Sequence, residues 1–315
     1  MLINKVGDAR VRVLVNGPAS WNVTARVGAL PEPVSQTLFA ERWSEGVGGT
    51  SAGKSLTLAA LGAEVVLQTV VGVDEVAGQV LRALEVPGVE VRATGSVSRR
   101  TERHLNLLDA SGGRVSIYLE LPQAQQVHQA APPTVDPDVT AAVLDLCDHS
   151  VPLLSAYRSI GVPVWCDVHD DDGAADGYAR PFTAAADVVV ASEVRLADVD
   201  SYLRDRIAEG AQLAVCTRGG DGARAVHADE TGERWYDVGP APADEVVDTE
   251  GAGDAFVAGL LMGLSRGAVV PQALAEASAA GAIAVASAGL GASAADAAAV
   301  ARLAEAVEVT VTRPR

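Results

Sequence analysis

The chain has 315 residues, enough for one large α/β domain or two small ones, with 49% apolar and 21% charged residues as in ordinary globular proteins. Aromatic residues make up only 4%, so Ala, Val, Leu and Gly must fill the core. A formal net charge of −17 argues against nucleic acid or an anionic membrane as partner. An anionic substrate would need a local positive site, such as a helix N-terminus or a metal.

Cys147, Cys166 and Cys216 are odd in number, lie in or near apolar runs and form no CxxC pattern. They read as buried thiols in a reducing, cytoplasmic setting. The first residues show no uninterrupted apolar stretch or small-residue cleavage site, so no signal peptide is expected. The charge-free run 277–295 is mostly Ala, Ser and Gly, too weakly apolar for a membrane span and better read as buried helices.

In chain order, residues 11–15 form a short apolar run ending at Asn16-Gly17-Pro18, a buried strand and its turn. Residues 21–43 alternate weakly and carry Pro31 and Pro33, which suits strands or loops outside the main core. A glycine turn at 46–49 precedes a helix over 51–61 that stops at Gly62. A strand is expected over 64–71, a helix over 75–84 with Asp74 as its cap, and a strand over 89–91. Residues 99–121 read as a hairpin, with strands at 103–108 and 114–119 joined by Asp109-Ala110-Ser111-Gly112-Gly113. Arg99, Arg100, Arg103 and Arg114 gather on it. A hairpin interrupting an α/β rhythm suggests a flap over a site. A Pro-rich linker follows at 130–137.

Strands are then expected at 139–144, 162–168, 186–191 and 213–217, with helices at 150–160 and 202–208. A hairpin follows at 223–227 and 234–238, and Ala-rich helices run to 306. Alternating strands and helices predict a mostly parallel, doubly wound sheet, whose ligands sit at the carboxyl ends of the strands. Asn16, Asp167, Thr217 and the turn at 248–254 all fall at expected strand ends.

Two glycine motifs carry chemistry. Gly48-Gly49-Thr50-Ser51-Ala52-Gly53-Lys54-Ser55 matches the P-loop expression G-x-x-x-x-G-K-S. A P-loop must follow a buried strand, and Glu41-Arg42-Trp43-Ser44-Glu45 cannot be one. A glycine turn packing a helix beside a small-molecule site fits better. In Asp248-Thr249-Glu250-Gly251-Ala252-Gly253-Asp254-Ala255-Phe256, a glycine turn opens a helix, whose unpaired N–H groups and dipole make an anion site. Asp254 at its edge is either a helix cap or a base that takes a proton from an attacking hydroxyl. His169 with Asp167, Asp170, Asp171 and Asp172 reads mainly as a solvated acidic turn, with Asp167 the residue of most interest.

The order of motifs resembles the ribokinase-like (PfkB) carbohydrate kinases. Residues 248–256 are similar to the family signature D-T-x-G-A-G-D-x-F. Gly48-Gly49 with the helix ending Leu61-Gly62 resembles its N-terminal glycine motif. Val71-Gly72-Val73-Asp74 with Gly78 and Gly88-Val89, and Thr217-Arg218-Gly219-Gly220-Asp221-Gly222, resemble two further motifs. The resemblance implies a single ribokinase-like α/β domain over residues 1–315, a three-layer sandwich with a mostly parallel sheet. A small β lid would come from about 23–45 and 96–121. It implies ATP and Mg²⁺, with phosphoryl transfer to a primary hydroxyl of a sugar or sugar-like substrate.

By the same resemblance, Asp254 takes the catalytic-base position and Gly251, Ala252 and Gly253 the anion hole. Asn22, Gly48, Gly49, Gly53 and Lys54 take substrate-binding positions, and Thr217, Gly219 and Gly222 flank the nucleotide. Asp248 and Thr249 would hold a monovalent cation such as K⁺, and Glu193 is the candidate for Mg²⁺. A homodimer through the lid is also expected. Where the family usually has asparagine, this chain has Gly53, followed by Lys54. The family's N-x-x-E motif aligns with Ser192-Glu193-Val194-Arg195. Two alternatives stay open: a nucleoside kinase of the same family, and a non-catalytic sugar- or nucleotide-binding member.

Overall fold

The computed structural model describes residues 2–3, 10–110, 113–123, 135–243, 245–287, 289–290 and 295–313. The hairpin tip Ser111-Gly112 and most of the Pro-rich linker lie outside them.

Short, continuous apolar runs became strands because helices cover both of their faces. Strands β1 (Arg12–Asn16), β4 (Glu64–Val71), β5 (Val89–Gly95), β8 (Ala141–Leu144), β9 (Val164–Asp167), β10 (Val188–Ser192) and β11 (Leu213–Thr217) run parallel. Antiparallel β12 (Ala223–Asp229), β13 (Gly232–Val238) and β14 (Val309–Thr312) extend one edge. The ten-stranded order is β14-β13-β12-β11-β10-β9-β8-β1-β4-β5.

Alternate residues divide between two cores, as a strand period of two requires. Val13, Val15, Val143, Val188 and Val215 face helices α1 (Thr50–Ala60), α6 (Ala252–Ser265), α7 (Val270–Val285) and α8 (Ala297–Ala304). Leu14, Leu144, Val189 and Cys216 face α3 (Val151–Ser159), α4 (Arg180–Thr183) and α5 (Val199–Ala208). The result is three layers. Helix α2 (Glu75–Ala83) starts where expected: Asp74 accepts from the Ala77 amide at 3.1 Å and from the Thr101 hydroxyl at 2.6 Å.

A second, four-stranded sheet, β3-β2-β6-β7, is built from β2 (Ser20–Arg26), β3 (Arg42–Gly48), β6 (Arg103–Leu108) and β7 (Arg114–Glu120). The hairpin at 103–120 thus joins the segment after β1. The strand before Gly49 is β3, mostly exposed and in this small sheet, so the glycine turn at 48–55 has no buried strand to launch a P-loop.

Two expectations need correction. Residues 245–249 form no strand; they run as an irregular segment after β13, held by Val247 and Asp248 amides donating to the Val285 carbonyl at 2.8 and 3.1 Å. The sequence pattern predicts no element after residue 306, whereas β14 pairs there with β13.

Gly222 is fixed by backbone packing. It has φ +86°, and a Cβ there would meet the Val238 carbonyl oxygen at 2.0 Å. Gly222→Ala is expected to lower stability by about 2–3 kcal/mol, measured as a drop in urea midpoint. An unchanged midpoint would show that the turn relaxes freely.

Candidate active site

The carboxyl ends of the parallel strands and the small sheet enclose one wide cleft of about 2610 Å³. Pockets for a single small ligand are typically about 300–1,000 Å³, so this cleft has room for two substrates together. Asn16, Asp167 and Thr217, the last residues of β1, β9 and β11, line its floor. Asn22, His104 and Asn106 of the small sheet form one wall, and Gly251, Gly253 and Asp254 another.

The start of α6 has the features that an anion site needs. Gly251 is its cap with φ 79° and ψ 0°, a left-handed conformation that favours glycine, and no side chain caps the helix. The first N–H groups of a helix have no partner inside it. Here the Ala252 amide reaches the Thr249 carbonyl at 3.5 Å, while the amides of Gly251, Gly253 and Asp254 have no hydrogen-bond partner among the described residues. A Cβ on Gly253 would meet nothing within 4 Å, so the missing side chain leaves open space for an anion to approach the backbone. Ala252, inside the turn, does not line the cleft.

Asp254 lies in this first turn, 7% exposed and lining the cleft. Its Oδ1 accepts from Lys54 Nζ at 2.7 Å. Burial raises its carboxyl to about 6; the Lys54 ammonium pulls it down, and neighbouring Asp167 pushes it up. Such a group is ionised at neutral pH and basic enough to take a proton.

The other expected residues divide into two groups. Gly49, Asn22, Thr217, Gly219 and Thr249 line the cleft. Gly48, Gly53, Lys54, Gly222, Asp248 and Glu193 do not line it. Gly48 leaves space for Asn22, whose Nδ2 would be 2.0 Å from a Cβ there. Lys54 is fully buried and reaches carboxylates instead of the cleft. Asp248 organises the loop: its oxygens accept the amides of Glu250 at 3.0 Å and Gly289 at 3.2 Å. Glu193 sits half-buried in a short 3-10 turn after β10, between cleft residues Ser192 and Val194.

Sequence reasoning missed Asp145 and Glu250. Asp145 directly follows β8, and the strand-end rule that singled out Asp167 applies to it equally. Glu250 occupies the variable position of the motif. It accepts from Asn22 Nδ2 at 2.6 Å, and from Thr24 Oγ1 and Asn106 Nδ2 at 3.4 Å. Burial raises its carboxyl, and the Asn22 hydrogen bond opposes that. It ties the anion-site loop to the small sheet.

Residues 21–297 match the pfkB family carbohydrate kinase model. The chain belongs to the pfkB family of carbohydrate kinases. It is 30% identical over 254 residues to the acarbose 7(IV)-phosphotransferase of Actinoplanes sp., covering 80% of this chain and 84% of that protein. It is 29% identical over 287 residues to the ATP-dependent ribose-1-phosphate kinase of Halopiger xanaduensis, covering 85% and 90%. The solved structure of a microbiome-derived acarbose kinase, Mak1, is similar over 94% of this chain and 100% of that one, with TM-score 0.72 and 27% identity. This kinase is therefore an ATP-dependent phosphotransferase with a sugar alcohol group as acceptor. Its fold is ribokinase-like.

Thr217, Gly219 and Gly253 all line the cleft, and a Cβ on Gly219 or Gly253 would meet nothing within 4 Å, so these positions leave open space of the kind that nucleotide phosphates need. For Mg²⁺, no group of three or more His, Cys, Asp or Glu side chains at ligating positions exists among the described residues. That suits an ion held mainly by nucleotide phosphates and one or two carboxylates.

Proposed function

We propose that this kinase transfers the γ-phosphate of ATP to a primary hydroxyl of a sugar or sugar-like molecule, with Asp254 as the base. The observation that carries this is the placement of a buried, cleft-lining carboxylate within the first turn of an uncapped helix that opens on Gly251. Asp254 Oδ2 orients the acceptor hydroxyl and takes its proton as the oxygen attacks phosphorus. The N–H groups of 251–254 stabilise charge on the transferring phosphoryl group. Bound Mg²⁺ would supply further neutralisation of phosphate charge, and Glu193, between cleft residues Ser192 and Val194, is the carboxylate that would hold it. Asp248 and Thr249 are the residues for a monovalent cation such as K⁺.

The small sheet, about 23–45 and 96–121, serves as a lid that keeps water from competing as acceptor. Its polar wall of Asn22, His104 and Asn106, with Glu250 of the facing loop, suits a hydroxyl-rich acceptor. Trp43, Ile117 and Leu119 are exposed on it, which supports pairing of two copies through this sheet. The three unpaired cysteines support a reducing, cytoplasmic setting; among the described residues no helix is long and apolar enough to cross a membrane.

The test is an ATP-consumption screen over monosaccharides, sugar phosphates, oligosaccharides such as acarbose, and nucleosides. Turnover with a sugar or sugar derivative is expected to exceed that with every nucleoside. Turnover confined to nucleosides would reassign the acceptor, and nucleotide binding without turnover on any of them would make the chain a sensor.

A further inference from the structure

Lys54 is a buried cation among three acids. Its Nζ lies 2.7 Å from Asp254 Oδ1, 3.0 Å from Asp167 Oδ2 and 3.1 Å from Asp145 Oδ1. The acids come from three elements: the residue after β8, the end of β9 and the first turn of α6. An ammonium has three N–H donors; Asp254 Oδ1 accepts one of them, and Asp145 Oδ1 is held by charge at 3.1 Å without a hydrogen bond. Burying it costs several kcal/mol unless it is paired, so the fold does not place it there by default.

The other oxygens are distributed unevenly. Asp145 Oδ2 accepts from the Ser51 hydroxyl at 2.5 Å. Asp167 Oδ1 accepts from the His169 amide at 3.1 Å, with the His169 ring Nδ1 at 3.6 Å. Asp254 Oδ2 has no hydrogen bond among the described residues. It lies against Gly53, where a Cβ would approach it to 2.7 Å. One oxygen of the base is therefore anchored and the other is left to react. Lys54 itself is fully buried and does not line the cleft, so it cannot act as a P-loop lysine on phosphate.

We propose that Lys54 is a positioning residue for phosphoryl transfer: it pins Asp254 Oδ1 so that Oδ2 faces the acceptor, and it holds the base ionised against Asp145 and Asp167. This rests on the reading of Asp254 as the base. The charged and titratable groups facing Asp254 are Lys54 from α1, Asp145 after β8, and Asp167 with His169 at the end of β9. Three carboxylates and one ammonium give the cluster a net charge of about −2, so the lysine is the dominant force keeping protons off. Burial already lifts Asp254 to about 6, with Lys54 the first opposing influence. Lys54 stays charged: burial works against it, but Asp145, Asp167 and Asp254 together hold its ammonium well above the ordinary range.

Lys54→Met removes the cation and keeps the length of the chain. Its kcat is expected to fall about 30- to 100-fold at pH 6.5. The acid limb of the kcat–pH profile should move up by at least about one unit, so the deficit shrinks toward pH 9. The KM for ATP and for the sugar should stay within about threefold, because Lys54 touches neither. Comparison with wild type in the same buffers cancels the titration of the nucleotide itself. Asp145→Asn, which removes an acid and leaves Lys54, should move the limb the other way.

A purely structural lysine would lower activity equally at every pH. That outcome, or full activity in Lys54→Met, overturns the proposal. Should Lys54→Met fail to fold, Lys54→Met/Asp145→Asn restores the cluster's charge: its acid limb should return toward that of wild type while kcat stays at least about tenfold low, because Asp254 Oδ1 has lost its anchor, and a wild-type kcat in that variant overturns the proposal. An active Asp254→Asn enzyme would instead overturn the base assignment, so the two failures are distinguishable.

Discussion

Asp254→Asn is expected to bind ATP as the wild type does and to turn over about 10³-fold more slowly. The substitution is nearly isosteric, and the amide oxygen still accepts from Lys54 Nζ, now 2.7 Å from Oδ1. The carboxylate it removes is one of three around a single ammonium. Losing it eases repulsion inside the cluster, so the fold should be no less stable and Tm should hold or rise. Lost turnover in a stable, nucleotide-binding variant can then be assigned to lost proton transfer. A helix cap would behave differently: its loss would cost about 1 kcal/mol of stability and leave kcat alone. Initial-rate kinetics with a saturating sugar, beside ATP titration by calorimetry, separates the two. A kcat within tenfold of wild type would exclude Asp254 as the base.

The sequence made the strands legible where both faces are buried. Residues 64–71 and 213–217 are such strands with those bounds, and 103–108, buried on alternate residues, is a strand too, because apolar runs or alternations end there at Gly, Asp or Arg. Strand β14 escaped notice since four half-exposed residues at an edge carry little pattern. The glycine turn that opens α6 was legible because Gly251, Gly253 and Asp254 are neighbours in the chain, and a helix start is a local event. Lys54 was not. Its Gly-Lys-Ser context suggests a residue reaching toward a ligand, yet its partners lie at positions 145, 167 and 254. Only tertiary packing, with α1 against α6 and beside the ends of β8 and β9, brings them together. Gly48 and Gly222 look like ligand contacts in a motif, but one makes room for Asn22 and the other for the Val238 carbonyl. A glycine marks a close approach without saying what approaches.

That ambiguity gives the second large prediction, Gly53→Ala. On helix propensity alone the change should stabilise α1 by roughly 0.5–1 kcal/mol. The added methyl, however, would lie 2.7 Å from Asp254 Oδ2, 3.1 Å from its Cγ and 3.2 Å from its Cβ. Asp254 has little freedom to retreat: its backbone is in the first turn of α6, and Oδ1 is held by Lys54. Either the carboxylate rotates off its tether or the two helices part slightly, and both displace the oxygen meant for the acceptor. Displacements of about 1 Å at a reacting group cost about 10²-fold in rate. Gly53→Ala should therefore keep its urea midpoint close to wild type, since propensity and crowding oppose each other, while kcat falls about 10²-fold. The sign of the two effects is the informative part. A substitution that normally strengthens a helix would weaken only the chemistry, which requires the alanine methyl to meet the base and nothing else of consequence. Full activity with a raised midpoint would mean that Asp254 Oδ2 does not rest against Gly53 in the working enzyme, and that the oxygen facing the acceptor is held in some other way.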